Sequence, residues 1–496
     1  MKRVQGDERK ERMADAAKPK RGDLTQGNIG PTLLKFALPT LASSILQSLN
    51  GTINAIWVGR FLGENALAAT SNANMVMFLL TAFVFGFGMA STILIGQYWG
   101  RKDVDHARRV FGTAAGAFGL ITILIGAAGY AWSGGILTLL GTPGDAAPLA
   151  LDYLQVIFLA MPALLLLTLL MMALRGSGDS VSPLWFMIVA VVLDSGLNPV
   201  FILGLGPAAA MGIAGSATAT LIANYAALIG LVGYMYLKDL PLRLRGGELR
   251  YLVPDMSVLK TIVAKGLPMG IQMIVISLSA LALVGIVNGE GVDTAAAFGV
   301  AMQLWTYVQM PAMALGAAVS AMAAQNIGAG KWDRVGQVTR SGVGYTLLIT
   351  GTMIVLLTLA DKSVLSLFMG GGSPALPIAR HIHVLATWNF LLFGVTMVLI
   401  ATVRANGAVW GPLLILVVGL VPVRFGWIFG TYRWLGSDSI WWSFPASSLT
   451  NLLLATGFYL HGGWKKGRMT ERPSDDEFIE DAQATREPGG ALNPSG

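Results

Sequence analysis

The sequence predicts an all-α polytopic membrane protein, with about twelve transmembrane helices in two six-helix lobes related by internal duplication. Apolar residues make up 54% of the 496 and charged residues only 12%. A soluble domain carries roughly 25% charged residues, so the solvent for most of this chain is lipid. The apolar residues fall in unbroken runs of roughly 20 or more, whereas a closed barrel would show short stretches of alternating polarity. The chain also says nearly the same thing twice. Leu38-Pro39 returns as Leu267-Pro268, and Gln97-Tyr98-Trp99-Gly100 returns at almost the same offset as Gln325-Asn326-Ile327-Gly328. Arg175-Gly176-Ser177-Gly178 with Pro183 returns as Arg404-Ala405-Asn406-Gly407 with Pro412, at the offset of the first pair. A duplicated hydrophobic half of this length points to a membrane transporter whose path lies between two similar bundles.

The first copy gives expected spans at 33–58, 66–98, 110–132, 154–174, 183–205 and 211–237. The second gives 266–287, 295–324, 338–360, 382–403, 412–434 and 440–460. The first run follows a polar, charged stretch and is longer than the apolar core of a signal peptide, so it is expected to stay as a span. An even number of spans per copy keeps both copies in one orientation, as parallel repeats about an axis along the membrane normal. The expected divisions are a tail over 1–31, a lobe over 32–237, a connecting loop over 238–260, a second lobe over 261–462 and a tail over 463–496. The last tail turns acidic and Pro/Gly-rich, a composition that reads as disorder.

Orientation follows from the Lys and Arg, because basic residues near span ends are retained in the cytoplasm. The N-terminal tail to Lys35 holds nine, the 101–109 loop four, the 238–265 connection six, the 331–340 loop three and the C-terminal tail five. With Arg175 and Arg404, 29 of the 34 fall on one side, against Arg60, Lys362, Arg380 and Arg433 on the other and Arg424 inside a span. Both termini are therefore expected in the cytoplasm, in a multi-pass protein of the cell inner membrane. The net charge of +7 is a topology signal rather than a nucleic-acid footprint. The chain has no cysteine, which excludes disulfides, thiolate metal sites and thiol nucleophiles.

Several short segments resemble the multidrug and toxic compound extrusion (MATE) transporters over nearly the whole membrane part. They are Leu38-Pro39, Val58-Gly59-Arg60-Phe61-Leu62-Gly63, Ala66-Leu67-Ala68-Ala69, Gly96-Gln97, Ala173-Leu174-Arg175-Gly176-Ser177-Gly178-Asp179, Asn198-Pro199 and Gly212-Ile213-Ala214-Gly215-Ser216-Ala217. The resemblance implies a two-lobed antiporter with a central cavity, exporting organic cations or other amphipathic compounds in exchange for protons or sodium ions. Implied partners are small-molecule substrates, protons and membrane lipids, with no cofactor, no nucleic acid and a monomeric working unit.

A charge at the centre of a spanning helix costs at least about 2.5 to 3.5 kcal/mol, so it is a functional hypothesis by default. Of the 27 acids only Asp194 sits mid-span. Asp194 and Asn198 share one helix face at i and i+4, and Pro199 weakens the backbone ladder beside them. The expected coupling-ion residues are Asp194, Asn198 and Asn54. Proton-coupled members of the family resembled usually carry an Asp where this chain has Asn54, and Asn then Asp where it has Asp194 then Asn198. Carboxylate and amide are exchanged by one turn. The acids that sodium-coupled members often carry in the second lobe correspond to Ile276 and Phe393, which cannot ligate a hard cation.

Thr40, Gln47, Asn50 and Asn54 fall at helical spacing on the first span, with Asn72 and Asn74 opening the second. Such residues line a cavity or bridge helices. In the eighth span Gln303, Trp305, Tyr307, Gln309 and Met310 mix aromatic, amide and thioether groups suited to varied flat or cationic molecules, although Trp305 alone reads better as packing. The expected substrate cavity is Gln47, Asn50, Gln303, Tyr307, Gln309, Met310 and Arg424. Arg424, the one mid-span base, is the repeat counterpart of Ser195. It either binds an anion or is held by backbone carbonyls. Arg175 and Arg404 are expected to bond helix C-terminal carbonyls and reach lipid phosphates. His106, His381, His383 and His461 show no ligand set, and the 381/383 pair reads as interfacial.

Two other functions compete with an efflux antiporter. A lipid-linked oligosaccharide flippase of related fold needs a strongly basic cavity, and Arg424 alone is too little. A membrane enzyme needs a convergent nucleophile, base or metal cluster at bilayer depth, and the sequence offers neither cysteine, paired acids nor a mid-span histidine.

Overall fold

The computed structural model describes residues 22–139, 147–205, 210–370, 372–467 and 469, with only part of the side chains between 64 and 83. Residues 1–21 of the tail expected over 1–31, residues 468 and 470–496 of the tail expected over 463–496, and the side chains of Asn72 and Asn74 lie outside the described residues. In lipid every backbone N–H must find its acceptor within its own segment, and this apolar chain accordingly folds into helices. The first bundle holds α1 (Ile29–Leu62), α2 (Glu64–Gly100), α3 (Val104–Leu139), α4 (Ala147–Gly176), α5 (Val181–Leu203) and α6 (Ile213–Leu237). The second holds α7 (Met256–Asn288), α8 (Val292–Gly328), α9 (Trp332–Leu359), α10 (Asp361–Met369), α11 (Ala375–Ala386), α12 (Asn389–Arg404), α13 (Trp410–Val418), α14 (Arg424–Leu435) and α15 (Asp438–His461).

Among the described residues ten segments are long and apolar enough to cross a membrane, and α11 with α12, bent by 44°, makes an eleventh if the pair is one span. The last expected span folds as α15, 24 residues long, whose buried face carries Ser439, Ser443, Ser447, Ser448 and Asn451. Those hydroxyls dilute its hydropathy without shortening it. Two details differ from the sequence reading. The segment expected as loop after the ninth span holds the short α10, and the eleventh span is interrupted between α13 and α14 by a π turn over Gly419–Val423. Pro422 lies in that turn, where its missing donor displaces the backbone ladder.

Within the first bundle α4 packs on α2, α3 and α6, and α5 on α1 and α6; within the second, α8 packs on α9, α11 and α12, and α12 on α15. The bundles meet where α2 crosses α7 and α8 and where α1 crosses α8. At the end carrying the basic loops one apolar cluster spans both, joining Ile93, Leu94 and Leu174 to Ala324, Val403 and Val409. A second joins Leu33, Phe36 and Ala37 of α1 to Leu315 and Met322 of α8. At the opposite end each bundle keeps its own core, around Leu154 and Phe158 in the first and Phe298, Trp305 and Trp441 in the second. Among the described clusters the lobes are therefore joined at the basic end and keep separate cores at the other.

The connection between the lobes is more than a tether. Its 3-10 turn at Gly246–Leu252 lies on α3. The Tyr251 hydroxyl donates to Asp105 at 2.8 Å, Arg108 pairs with Glu248 at 2.6 Å, and Arg109 pairs with Asp255. The Arg245 backbone N–H, with the Arg108 guanidinium, holds the Glu248 carboxyl below the usual carboxylate range.

Candidate functional site

Asp194 of α5 is 1% exposed, and three helices converge on it. From α1, Asn50 and Asn54 donate their amide N–H groups to Oδ2 at 2.8 and 2.9 Å. From α6, the Thr220 hydroxyl donates to Oδ1 at 3.1 Å. One turn along α5, Asn198 Nδ2 reaches the Asp194 backbone carbonyl at 2.7 Å, Oδ1 at 3.3 Å and Asn54 Oδ1 at 2.8 Å. The four side chains that bond the carboxylate are all neutral, so they stabilise its negative charge without cancelling it. Buried beside it, Asn50 Oδ1, Asn198 Oδ1 and Ser195 Oγ have no hydrogen-bond partner. The amide and hydroxyl oxygens around the carboxylate make an oxygen-rich set, suited to a proton or to a hard monovalent cation.

The expected coupling residues Asp194, Asn198 and Asn54 are thus brought together. Asn50, expected in the substrate cavity, belongs to the same cluster. Thr220 was missed by the sequence reading, because a threonine on the next helix gives no spacing signal. Gln47 is exposed and sits on the seven-residue line Leu33, Thr40, Gln47, Asn54, whose Leu33 end packs against α8. Residues seven apart in a helix share a face, so this line runs from lobe contact at the basic end to the exposed Gln47 and on to Asn54 at the carboxylate.

The partner face of α8 behaves alike. Gln303, Tyr307 and Met310 lie on the same side as Ala321, Ala324 and Gly328, which meet α2 at the basic end. Gln303 Nε2 and the Tyr307 hydroxyl are 3.3 Å apart. Gln309, six residues from Gln303, points about 120° away round the helix and leaves this face. Trp305 turns into the lobe, bonding Thr387 Oγ1 at 2.9 Å and packing on Phe298, Phe390 and Phe444.

The basic residues depart from expectation in their partners. Arg424, 8% exposed, bonds the hydroxyls of Ser447 at 3.1 Å and Ser279 at 3.4 Å and lies 4.8 Å over the Phe444 ring. Hydroxyls and a ring face hold it, in place of the expected carbonyls, because the π turn leaves the Leu420 carbonyl to Ser279 Oγ at 2.9 Å. Arg404 reaches Gln272 Oε1 at 3.3 Å rather than a helix end. His383 is buried, not interfacial: Thr387 Oγ1 lies 2.8 Å from its Nδ1. Its ring is thus turned into the lobe. His381 instead pairs with Asp438 at 2.7 Å. Ile276 packs in the apolar cluster around Leu399 and Leu416, and Phe393 packs against Phe390.

The sequence pattern that defines the MatE family matches residues 39–200 and again 268–427, one match per lobe. The probable multidrug resistance protein YoeA of Bacillus subtilis (strain 168) is 37% identical over 88% of this chain and 94% of its own length. The probable multidrug resistance protein YpnP of the same organism is 30% identical over 89% of this chain and 97% of its own. A crystal structure of a MATE protein in complex with MaL6 superposes with a TM-score of 0.83 at 19% identity, covering 90% of this chain and all 100% of that one.

Proposed function

This chain belongs to the MatE family, and from that premise we propose that it is a multidrug efflux antiporter, exporting organic cationic or amphipathic compounds in exchange for protons. The names of YoeA and YpnP support the export of drugs. The observation that carries the coupling is Asp194, a buried mid-helix carboxylate bonded by Asn50, Asn54, Asn198 and Thr220. As an anion it accepts from all four. Once protonated it becomes a donor, and Asn50 Oδ1 and Asn198 Oδ1, which lack partners, are acceptors that turnover of an amide presents to its O–H. Both charge states are therefore accommodated, and a cationic substrate entering between the lobes competes with the proton for one negative charge.

The lobes over 32–237 and 261–462 move against each other about the 238–260 connection, within a monomer of the cell inner membrane whose two termini are cytoplasmic. The sorting of 29 of the 34 basic residues to one end supports that orientation. Gln47, Gln303, Tyr307 and Met310 form the substrate wall. Protons rather than sodium drive the exchange, supported by Ile276 and Phe393 standing in apolar packing. The test is efflux from proteoliposomes under an imposed pH gradient or an imposed sodium gradient. Efflux is expected to persist in sodium-free buffer and to collapse with a protonophore; loss of efflux on sodium removal at a constant pH gradient would reassign the Asp194 oxygen set to sodium.

A further inference from the structure

We infer that Gln97 and Gln325 are paired latches of a cytoplasmic gate, each reaching across to the other lobe. Gln97 Nε2, at the end of α2, donates to the Ala405 carbonyl at 2.7 Å. Gln325 Nε2, at the end of α8, donates to the Gly176 carbonyl at 3.1 Å. Gln325 is the repeat counterpart of Gln97, and Ala405 that of Gly176, so the two bonds are one bond, written twice about the axis that relates the lobes. Both glutamines are nearly inaccessible, at 2% and 0% exposed. The helix ends touch backbone to backbone: a Cβ at Gly100 would stand 1.9 Å from the Gln325 carbonyl oxygen, and one at Gly328 would stand 1.9 Å from that of Gln97. Any larger residue at either glycine would hold the lobes apart.

Two straps follow the same symmetry. Ahead of α1, Leu24 donates its backbone N–H to Gln325 Oε1 at 2.9 Å, and its carbonyl accepts from Asn326 Nδ2 at 3.2 Å. Lys331 bonds the Thr25 carbonyl at 2.9 Å and Arg334 the Gly27 carbonyl at 3.2 Å. Ahead of α7, Tyr251 bonds Asp105 and Arg109 pairs with Asp255. By the repeat, Tyr251 corresponds to Gly22, and Asp333, next to Arg334, corresponds to Asp105, so each lobe lays the segment before its first helix on the start of the other lobe's third helix. A path that opens at the basic end must break these contacts, and the opposite end, where the cores are separate, has no equivalent joint among the described clusters. Only the side toward which the gate opens rests on the antiporter reading above.

Since the chain lacks cysteine, Gln303→Cys on the proposed substrate wall serves as a single reporter for an impermeant maleimide applied to right-side-out or inside-out vesicles. In Gln97→Leu/Gln325→Leu, labelling from the cytoplasmic side is expected to rise about tenfold, with each single substitution giving a comparable share, as for loss of a buried hydrogen bond. Unchanged cytoplasmic labelling, or an effect of only one of the two, would overturn the paired latch. In the second arm Gly96→Cys/Ala324→Cys is oxidised; a Cβ at Gly96 lies 3.0 Å from Ala324 Cβ, and a small shift brings the pair to disulfide spacing. Cross-linking is expected to stop transport and reduction to restore it, whereas transport through the cross-linked protein would sink the gate. Labelling needs neither substrate nor ion gradient, so a failure of proton coupling leaves this reading standing.

Discussion

At matching depth the two lobes hold opposite charges in different surroundings. In the first, Asp194 is gathered by amides and a hydroxyl from three helices, with buried oxygens left over. In the second, Arg424, the repeat counterpart of Ser195, is clasped by two serines and an aromatic face inside a single lobe. The basic end tells the reverse story, since Gln97 and Gln325 make the same bond in both directions. Duplication has been kept where the lobes touch and abandoned around the buried charges. Symmetric residues make a joint; on the function proposed above, an asymmetric residue gives the transport cycle its ion.

The contrast breaks most sharply at Asp194. Asp194→Asn is expected to cut proton-driven efflux in proteoliposomes to the level of protein-free vesicles while leaving melting behaviour intact, because the amide keeps the shape but cannot titrate. Adding Asn198→Asp returns a carboxylate to the same face and is expected to restore part of the activity. Wild-type efflux by Asp194→Asn would move the coupling elsewhere.

A smaller effect is expected at Thr220. Thr220→Val removes one of the four bonds to the carboxylate and should slow efflux by about tenfold to a hundredfold, the size of one lost hydrogen bond to a charged group. No change in rate would place Thr220 outside the site.

The smallest effect is expected at Arg424, and it is a test of difference rather than of need. Ser279 and Ser447 already donate to the Leu420 and Phe444 carbonyls, so Arg424→Met leaves no orphaned hydroxyl. Replacing a buried charge by an apolar side chain of similar volume is often neutral or stabilising, and the melting temperature should stay within about 3 °C of wild type or rise. A large fall would show the base to be as deeply built into its lobe as Asp194 is into the other.

The sequence carried the spans, the duplication and the Asp194–Asn198 pair, because apolar length and helical spacing are local, whereas Asn54, on another helix, was pointed to by the family resemblance. It carried Gln97 and Gln325 only as repeat landmarks, since nothing local tells that an amide will cross to the opposite lobe. Thr220 stands 26 residues from Asp194, on a neighbouring helix, and a contact set by helix packing leaves no trace in periodicity. The π turn at Pro422 was not read from the sequence, and which partner that turn would release, and that Arg424 would settle on serines, depended on α15 packing alongside.

Under the proton exchange proposed above, one carboxylate in a neutral cage also fixes the electrical character of the cycle. A proton carried one way and a singly charged organic cation carried the other bring the same charge to Asp194 in each half, so their one-for-one exchange moves no net charge. The membrane voltage, worth about 2.3 kcal/mol per elementary charge at 100 mV, then does no work on such a cycle, and only the acidity difference across the bilayer sets how far the drug is concentrated. A dication would turn the same site electrogenic.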